Sequence, residues 1–199
     1  MTFAIIPAAG HSTRLGQPKL ALPLGDRSVL EHVIVALRGG GVDQVVVVIG
    51  PHVPELAAPA TAAGAHVCLL PETTPDMRTT VERGLHWLEE RYRPRPDDYW
   101  VLAPGDHPSF GAGVVKELLA VAGTGGKTIM VAVHGGRRGH PTVIAWSHVA
   151  GIRALARDEG INSYLRTRAA ETLEVPVADA GVLDDLDTPA DLDRLRKWT

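Results

Sequence analysis

The chain has 199 residues, 45% of them apolar, which suits one sizeable domain with a full core. Its net charge of −3 gives no global reason to expect nucleic acid or an anionic membrane as a partner. A single cysteine excludes an internal disulfide, and neither a leader pattern nor a membrane-length apolar run is evident, so a soluble cytoplasmic protein is expected. A first strand is predicted at residues 3–7, ahead of a long loop. A helix over 29–37 follows, with Val29, Leu30, Val33, Ile34 and Leu37 on one face. Arg38 and three glycines end it. The run "VVVVI" marks a strand at 44–49. Pro54 can start a short helix, which Pro59 should break or kink. A strand at 66–70 should bury Cys68 as a small hydrophobe. Helix 81–88, strand 99–103, helix 114–121 and strand 128–133 come next. "RYRPRPDD" (91–98) reads as a solvated turn.

The second half is less regular. It suggests a strand at 141–146, a helix over 147–156 capped by Ser147, a short helix at 162–168 and a strand at 171–177. A final helix over 189–197 has Thr188 as N-cap and Pro189 in its first position. Three runs, "VVVVI", "VCLL" and "IMVAV", are continuous rather than alternating, as in strands covered on both faces of a parallel sheet. The alternation of strands and helices gives an α/β, doubly wound sheet in one domain, 1–199.

Ligands of an open α/β sheet bind beyond the carboxyl ends of its strands. There the first strand runs into "IPAAGHSTRLGQPKL" (6–20). Ala8, Ala9, Gly10 and Gly16 let backbone N–H groups approach a ligand closely. Ser12 and Thr13 add hydroxyls, while Arg14 and Lys19 add positive charge. A loop of this length between strand and helix is usually functional. It contains neither G-x-G-x-x-G nor a full P-loop. "GTGGKT" (123–128) mimics a P-loop end, but Val121 replaces the required glycine and a helix precedes it, so it reads as a helix end and turn.

Asp106, in "VLAPGDHP", follows the strand at 99–103 and so sits at the same sheet edge. It reads either as a turn residue or as a carboxylate holding Mg²⁺ against nucleotide phosphates. "DDLDTPADL" (184–192) is a helix start that also offers Asp185 and Asp187 to a metal. His107 and His140 lack zinc-ligand spacing. Arg137, Arg138 and His140 form a basic loop, either a solvated turn or a contact for an acidic acceptor.

"PAAGHSTRLGQPKL" resembles the signature loop of the small nucleotidyltransferases of the molybdenum cofactor type. The likeness continues through "VLEHVI", "MRTTVERGL", "PGDHP", "GHPTVI" and "DDLDTPADL", nearly the whole chain. It is nearest in pattern to molybdenum cofactor cytidylyltransferases. The resemblance implies a single Rossmann-like domain that transfers a nucleoside monophosphate from a triphosphate to a phosphorylated acceptor, with Mg²⁺ as cofactor. Arg14 and Lys19 would then be catalytic, and Ala8, Ala9, Gly10, Ser12, Thr13, Gly16 and Thr80 would hold the nucleotide. Thr80 also reads as a helix N-cap. Asp106, Asp185 and Asp187 would serve the metal; His107, Arg137, Arg138 and His140 would serve the acceptor. Ala8-Ala9-Gly10, where guanylyltransferase relatives show L-A-G-G, favours CTP. Asp76 in place of a common glycine, and His107 in place of glutamine, depart from the pattern. They leave molybdopterin, a sugar or polyol phosphate, or methylerythritol phosphate open as acceptor. A nucleotide-binding module without transfer activity is the non-enzymatic alternative.

Overall fold

The computed structural model describes residues 1–11 and 18–197. Strand β1 (Thr2–Ala8) enters the loop predicted to hold nucleotide. A small hairpin of β2 (Pro23–Leu24) and β3 (Arg27–Ser28) leads to helix α1 (Val29–Gly39). Ser28 caps α1 in a capping box: Glu31 N–H donates to its hydroxyl, while the Glu31 carboxylate accepts from the Ser28 N–H. Then come β4 (Gln44–Ile49), α2 (Ala57–Ala62), β5 (His66–Leu69), α3 (Met77–Tyr92), β6 (Tyr99–Leu102) and α4 (Ala112–Ala120). The chain continues as β7 (Ile129–His134), β8 (Arg137–Ala145), α5 (Val149–Arg153), α6 (Ile161–Thr167), β9 (Thr172–Pro176) and α7 (Pro189–Arg196).

Seven strands form one sheet in the order β5-β4-β1-β6-β8-β7-β9. Its pairs are parallel except those of β8, which runs antiparallel to β6 and β7. Along β1, Phe3 and Ile5 pack into one core with α3, α5 and α6; Ala4 and Ile6 pack into the other with α1, α4 and α7. The sheet is thus the middle of three layers, the doubly wound α/β arrangement expected. No described helix is long and apolar enough to cross a membrane.

Several elements differ in detail from the sequence reading. β5 lies at the sheet edge, so Cys68 is half-buried and Leu69 is exposed rather than covered. Pro59 does not break α2, because it sits in the first turn, where an N–H has no intrahelical acceptor. Ser147 caps nothing: a 3₁₀ turn, Trp146–His148, precedes a shorter α5. β8 starts at Arg137, paired with β7 through a Gly135-Gly136 turn, rather than at 141. α7 begins as predicted, with a Thr188–Asp191 capping box and Pro189 in its first position.

Helix α3 lies close on β1 and β4 because residue 84 has no side chain. A Cβ there would stand 2.8 Å from Val48 Cγ2 and 2.9 Å from Ile5 Cγ2. Gly84→Ala gains helix propensity worth about 1 kcal/mol but must push a packed helix off the sheet. We expect a net loss of roughly 1–3 kcal/mol in urea unfolding. An unchanged or higher midpoint would show that the helix can shift at no cost.

Candidate active site

β1 ends at Ala8, and Ala9 and Gly10 carry the chain over the sheet edge to His11. The predicted residues Ser12, Thr13, Arg14 and Gly16 lie outside the described residues. The chain returns at Pro18 and turns through the 3₁₀ segment Lys19–Ala21, with Leu20 buried beneath. Here Lys19 is the hub of the site. Its Nζ donates to Asp106 Oδ2 at 2.6 Å, to Asp187 Oδ1 at 2.9 Å and to the Leu186 carbonyl at 2.9 Å. Burial alone would lower the Lys19 pKa, but the carboxylates of Asp106 and Asp187 outweigh it and raise the pKa above its usual 10.5. Lys19 is therefore an ammonium at any ordinary assay pH.

Three distant parts of the chain meet at this ammonium. Asp106 stands in the loop after β6, one strand over from β1. Asp187 stands just before α7 and is steadied by its own N–H, which donates to Asp191 Oδ2 at 3.2 Å. The Leu186 N–H donates to the Asp106 carbonyl at 2.9 Å and ties the two acidic segments together. Of the two aspartates read as metal candidates near the C-terminus, Asp187 borders the cavity. Asp185 is exposed, does not border it, and offers its carbonyl to Arg194.

The cavity beside Lys19 measures about 440 Å³. Ala8, Ala9, Gly10, His11 and Lys19 form one part of its lining, and Pro104, Gly105, Asp106 and Asp187 another. A third part is the start of α3: Thr74, Pro75, Asp76, Met77 and Thr80. Thr80 is buried, shares a hydroxyl contact with Thr74 and donates to the Asp76 carbonyl at 3.1 Å. It is not the helix cap. α3 begins at Met77, and Asp76 caps it by accepting from the Thr79 N–H at 2.7 Å. The first turn faces the cavity rather than the core, so apolar periodicity starts only at Val81 and the sequence reading set the helix start too late. Asp76 itself, a preferred N-cap residue type, was the available signal.

Behind Asp106, His107 and His140 meet edge to face, with ring centroids 4.8 Å apart. His107 Nε2 lies 3.9 Å from Asp106 Oδ1, and the Nδ1 atoms of both rings are buried. Burial, with the His107 charge, lowers the His140 pKa from 6.5 to about 4, against the opposing pulls of Asp106 and the Leu102 carbonyl. The sign follows. An unfolded imidazole binds a proton near pH 6.5 and the folded one only near 4, so stability present above 6.5 is lost as pH falls toward 4. His140→Gln is expected to remove roughly one proton's share of that slope in urea midpoints measured from pH 7 to 4. His107 and His148, lowered too, keep part of it. An unchanged slope would mean that His140 is readily protonated in the fold. Arg137 and Arg138 are exposed at the β7–β8 turn and do not border the cavity; Arg138 Nε donates to Glu174 at 2.8 Å.

Residues 4–173 match the model of the MobA-like NTP transferase domain. The chain belongs to that nucleotidyltransferase family. A molybdenum cofactor guanylyltransferase from Rhizobium meliloti is 30% identical, over 98% of this chain and 90% of the relative. A 2-C-methyl-D-erythritol 4-phosphate cytidylyltransferase from Ralstonia nicotianae is 36% identical over 64% of this chain and 53% of its own length. Among solved structures, a Mycobacterium tuberculosis Rv0371c homolog from Mycobacterium sp. strain JC1 superposes with a TM-score of 0.80 at 28% identity, covering 99% of this chain and 96% of that one. A nucleotidyl transferase from Methanothermobacter shares the fold at a TM-score of 0.83 and 21% identity, covering 100% of this chain and 97% of that one.

Proposed function

We propose that the protein transfers a nucleoside monophosphate from a nucleoside triphosphate to a phosphorylated small molecule, with molybdopterin cofactor as first choice, and releases pyrophosphate. The observation that carries this reading is Lys19, a charged ammonium held by two carboxylates where the loop after β1 borders a nucleotide-sized cavity. An acceptor phosphate oxygen attacks the α-phosphorus; the bond to the bridging oxygen breaks, and pyrophosphate leaves with the electron pair. The protein needs no nucleophile of its own, only positioning and positive charge. Lys19 supplies charge where it builds on the α-phosphate and leaving group, and we assign the same task to Arg14. Ala8, Ala9, Gly10, Ser12, Thr13, Gly16 and Thr80 hold the nucleotide in this reading.

Mg²⁺ fits the donor set. Asp106 and Asp187 offer hard carboxylate oxygens beside the cavity, and Mg²⁺ commonly takes one or two such ligands and fills its shell with phosphate and water. When bound, it neutralises phosphate charge. Asp106 and Asp187 are the residues we assign to it; Asp185, exposed outside the cavity, has the weaker claim. His107 and His140, next to Asp106, are assigned to the acceptor side. Arg137 and Arg138 would serve it only for an acceptor that reaches the β7–β8 turn.

CTP is the donor favoured by Ala8-Ala9-Gly10, since the Ala9 methyl leaves less room for a purine. GTP is the second reading, favoured by the guanylyltransferase that matches across 98% of the chain. A pyrophosphate-release screen decides between them by crossing CTP, GTP, ATP and UTP with Mg²⁺ and molybdopterin, sugar, polyol and methylerythritol phosphates. Release with CTP and molybdopterin is expected. A GTP preference would overturn the base assignment, and release with another acceptor would overturn molybdopterin. Nucleotide binding without release for any pair would leave a binding module.

A further inference from the structure

His11 and His52 form a stacked pair at the cavity that the transfer chemistry does not use. Their rings lie 3.9 Å apart and 17° from parallel. His52 comes from the loop after β4 and is held in place, with its Nε2 lying 3.3 Å from the Gly10 carbonyl. A Cβ at residue 50 would stand 2.7 Å from the His52 ring and 3.2 Å from Ala9 Cα, so Gly50 is what lets the ring lie against the turn after β1. His11 is exposed, yet one face of its ring is thus fixed by a built support while the residue borders the cavity.

The sheet order places this pair. β4 lies on one side of β1 and β6 on the other, so His52 and Asp106 emerge on opposite sides of the turn at Ala8–His11. Strand spacing separates those sides by about 10 Å. The β6 side carries Lys19 and the two carboxylates, where the phosphates belong. Among the described residues that line the opposite side, Asp76 carries the charge, beside Thr74, Pro75 and Met77, the last of these 43% exposed. A nucleotide laid across β1 with its phosphates at Lys19 brings its base to the histidine side.

We propose that His11, braced by His52, is the stacking platform for the nucleobase, so that His52, His11 and the base form one continuous stack. The proposal rests on the nucleotidyl-transfer reading and adds the residue that recognises the nucleoside rather than its phosphates. The test is calorimetric titration with CTP, GTP and inorganic tripolyphosphate in Mg²⁺ buffer, without acceptor, on the wild type, His11→Ala, His11→Phe and His52→Ala. Base stacking on an aromatic side chain is usually lost on alanine substitution, so His11→Ala should weaken both nucleotides roughly tenfold. Tripolyphosphate affinity should stay within about twofold, because no base is involved. His11→Phe should restore nucleotide affinity, and His52→Ala should weaken it by less than His11→Ala does. Unchanged nucleotide affinity in His11→Ala, or an equal loss for tripolyphosphate, overturns the platform and leaves the transfer reading standing. A wild type that binds neither nucleotide overturns both.

Discussion

Lys19→Ala is expected to slow pyrophosphate release by roughly 100- to 1,000-fold, the usual effect of removing one preorganised charge donor. The size follows from what Lys19 does in the fold. It is half-buried and charged, and three acceptors fix its position at the cavity wall, so its positive charge is already in place when charge develops on the phosphates. The raised pKa has a stability consequence with a definite sign. Its contribution is complete below pH 10.5 and is lost only as the pH climbs through the still higher folded value. The assay therefore reads chemistry rather than titration. Removing the ammonium also leaves Asp106 and Asp187 as neighbouring carboxylates without it, so the variant's urea midpoint is measured alongside its rate. A folded Lys19→Ala enzyme turning over within threefold of wild type would remove Lys19 from the reaction.

For Asp106→Ala the expected loss of rate is similar, and a second readout separates metal binding from simple charge loss. If Asp106 holds Mg²⁺, the concentration needed for half-maximal rate should rise at least 10- to 100-fold, since even residues behind a metal's direct ligands cost that much. The fold should tolerate the change, because the Leu186 N–H binds the backbone carbonyl of residue 106 and not its side chain. Asp185→Ala is the built-in control. It lies two residues from Asp187 but outside the cavity, so its rate and Mg²⁺ dependence should stay near wild type. An Asp106→Ala enzyme with normal Mg²⁺ dependence would move the metal elsewhere.

Physical reasons decide which features were legible in the sequence. The strands at 44–49 and 129–134 are buried on both faces, so they read as unbroken apolar runs. β5 read the same way but lies at an edge; its run packs against neighbours on one side only. β8 was read too short because its first residues are polar and exposed. The pair Gly135-Gly136 between two extended segments was the hairpin signal available. Lys19 and Asp106 were legible because both follow strands at one sheet edge. Which of Asp185 and Asp187 borders the cavity was not, because both sit in an irregular segment whose direction no periodicity reports. The His11–His52 stack was also hidden. It depends on two loops that only the adjacency of β1 and β4 brings together.

The tether from Lys19 to Asp187 spans 168 positions of sequence. During synthesis the loop after β1 leaves the ribosome well before residue 187, and its ammonium waits over that interval for the segment that completes its surroundings. A nascent chain that already holds β1, β4 and β6 thus has the framework of the site without its finished electrostatics. The segment that carries Leu186 and Asp187 acts as a latch, and it lies beyond residue 173, where the match to the family domain stops.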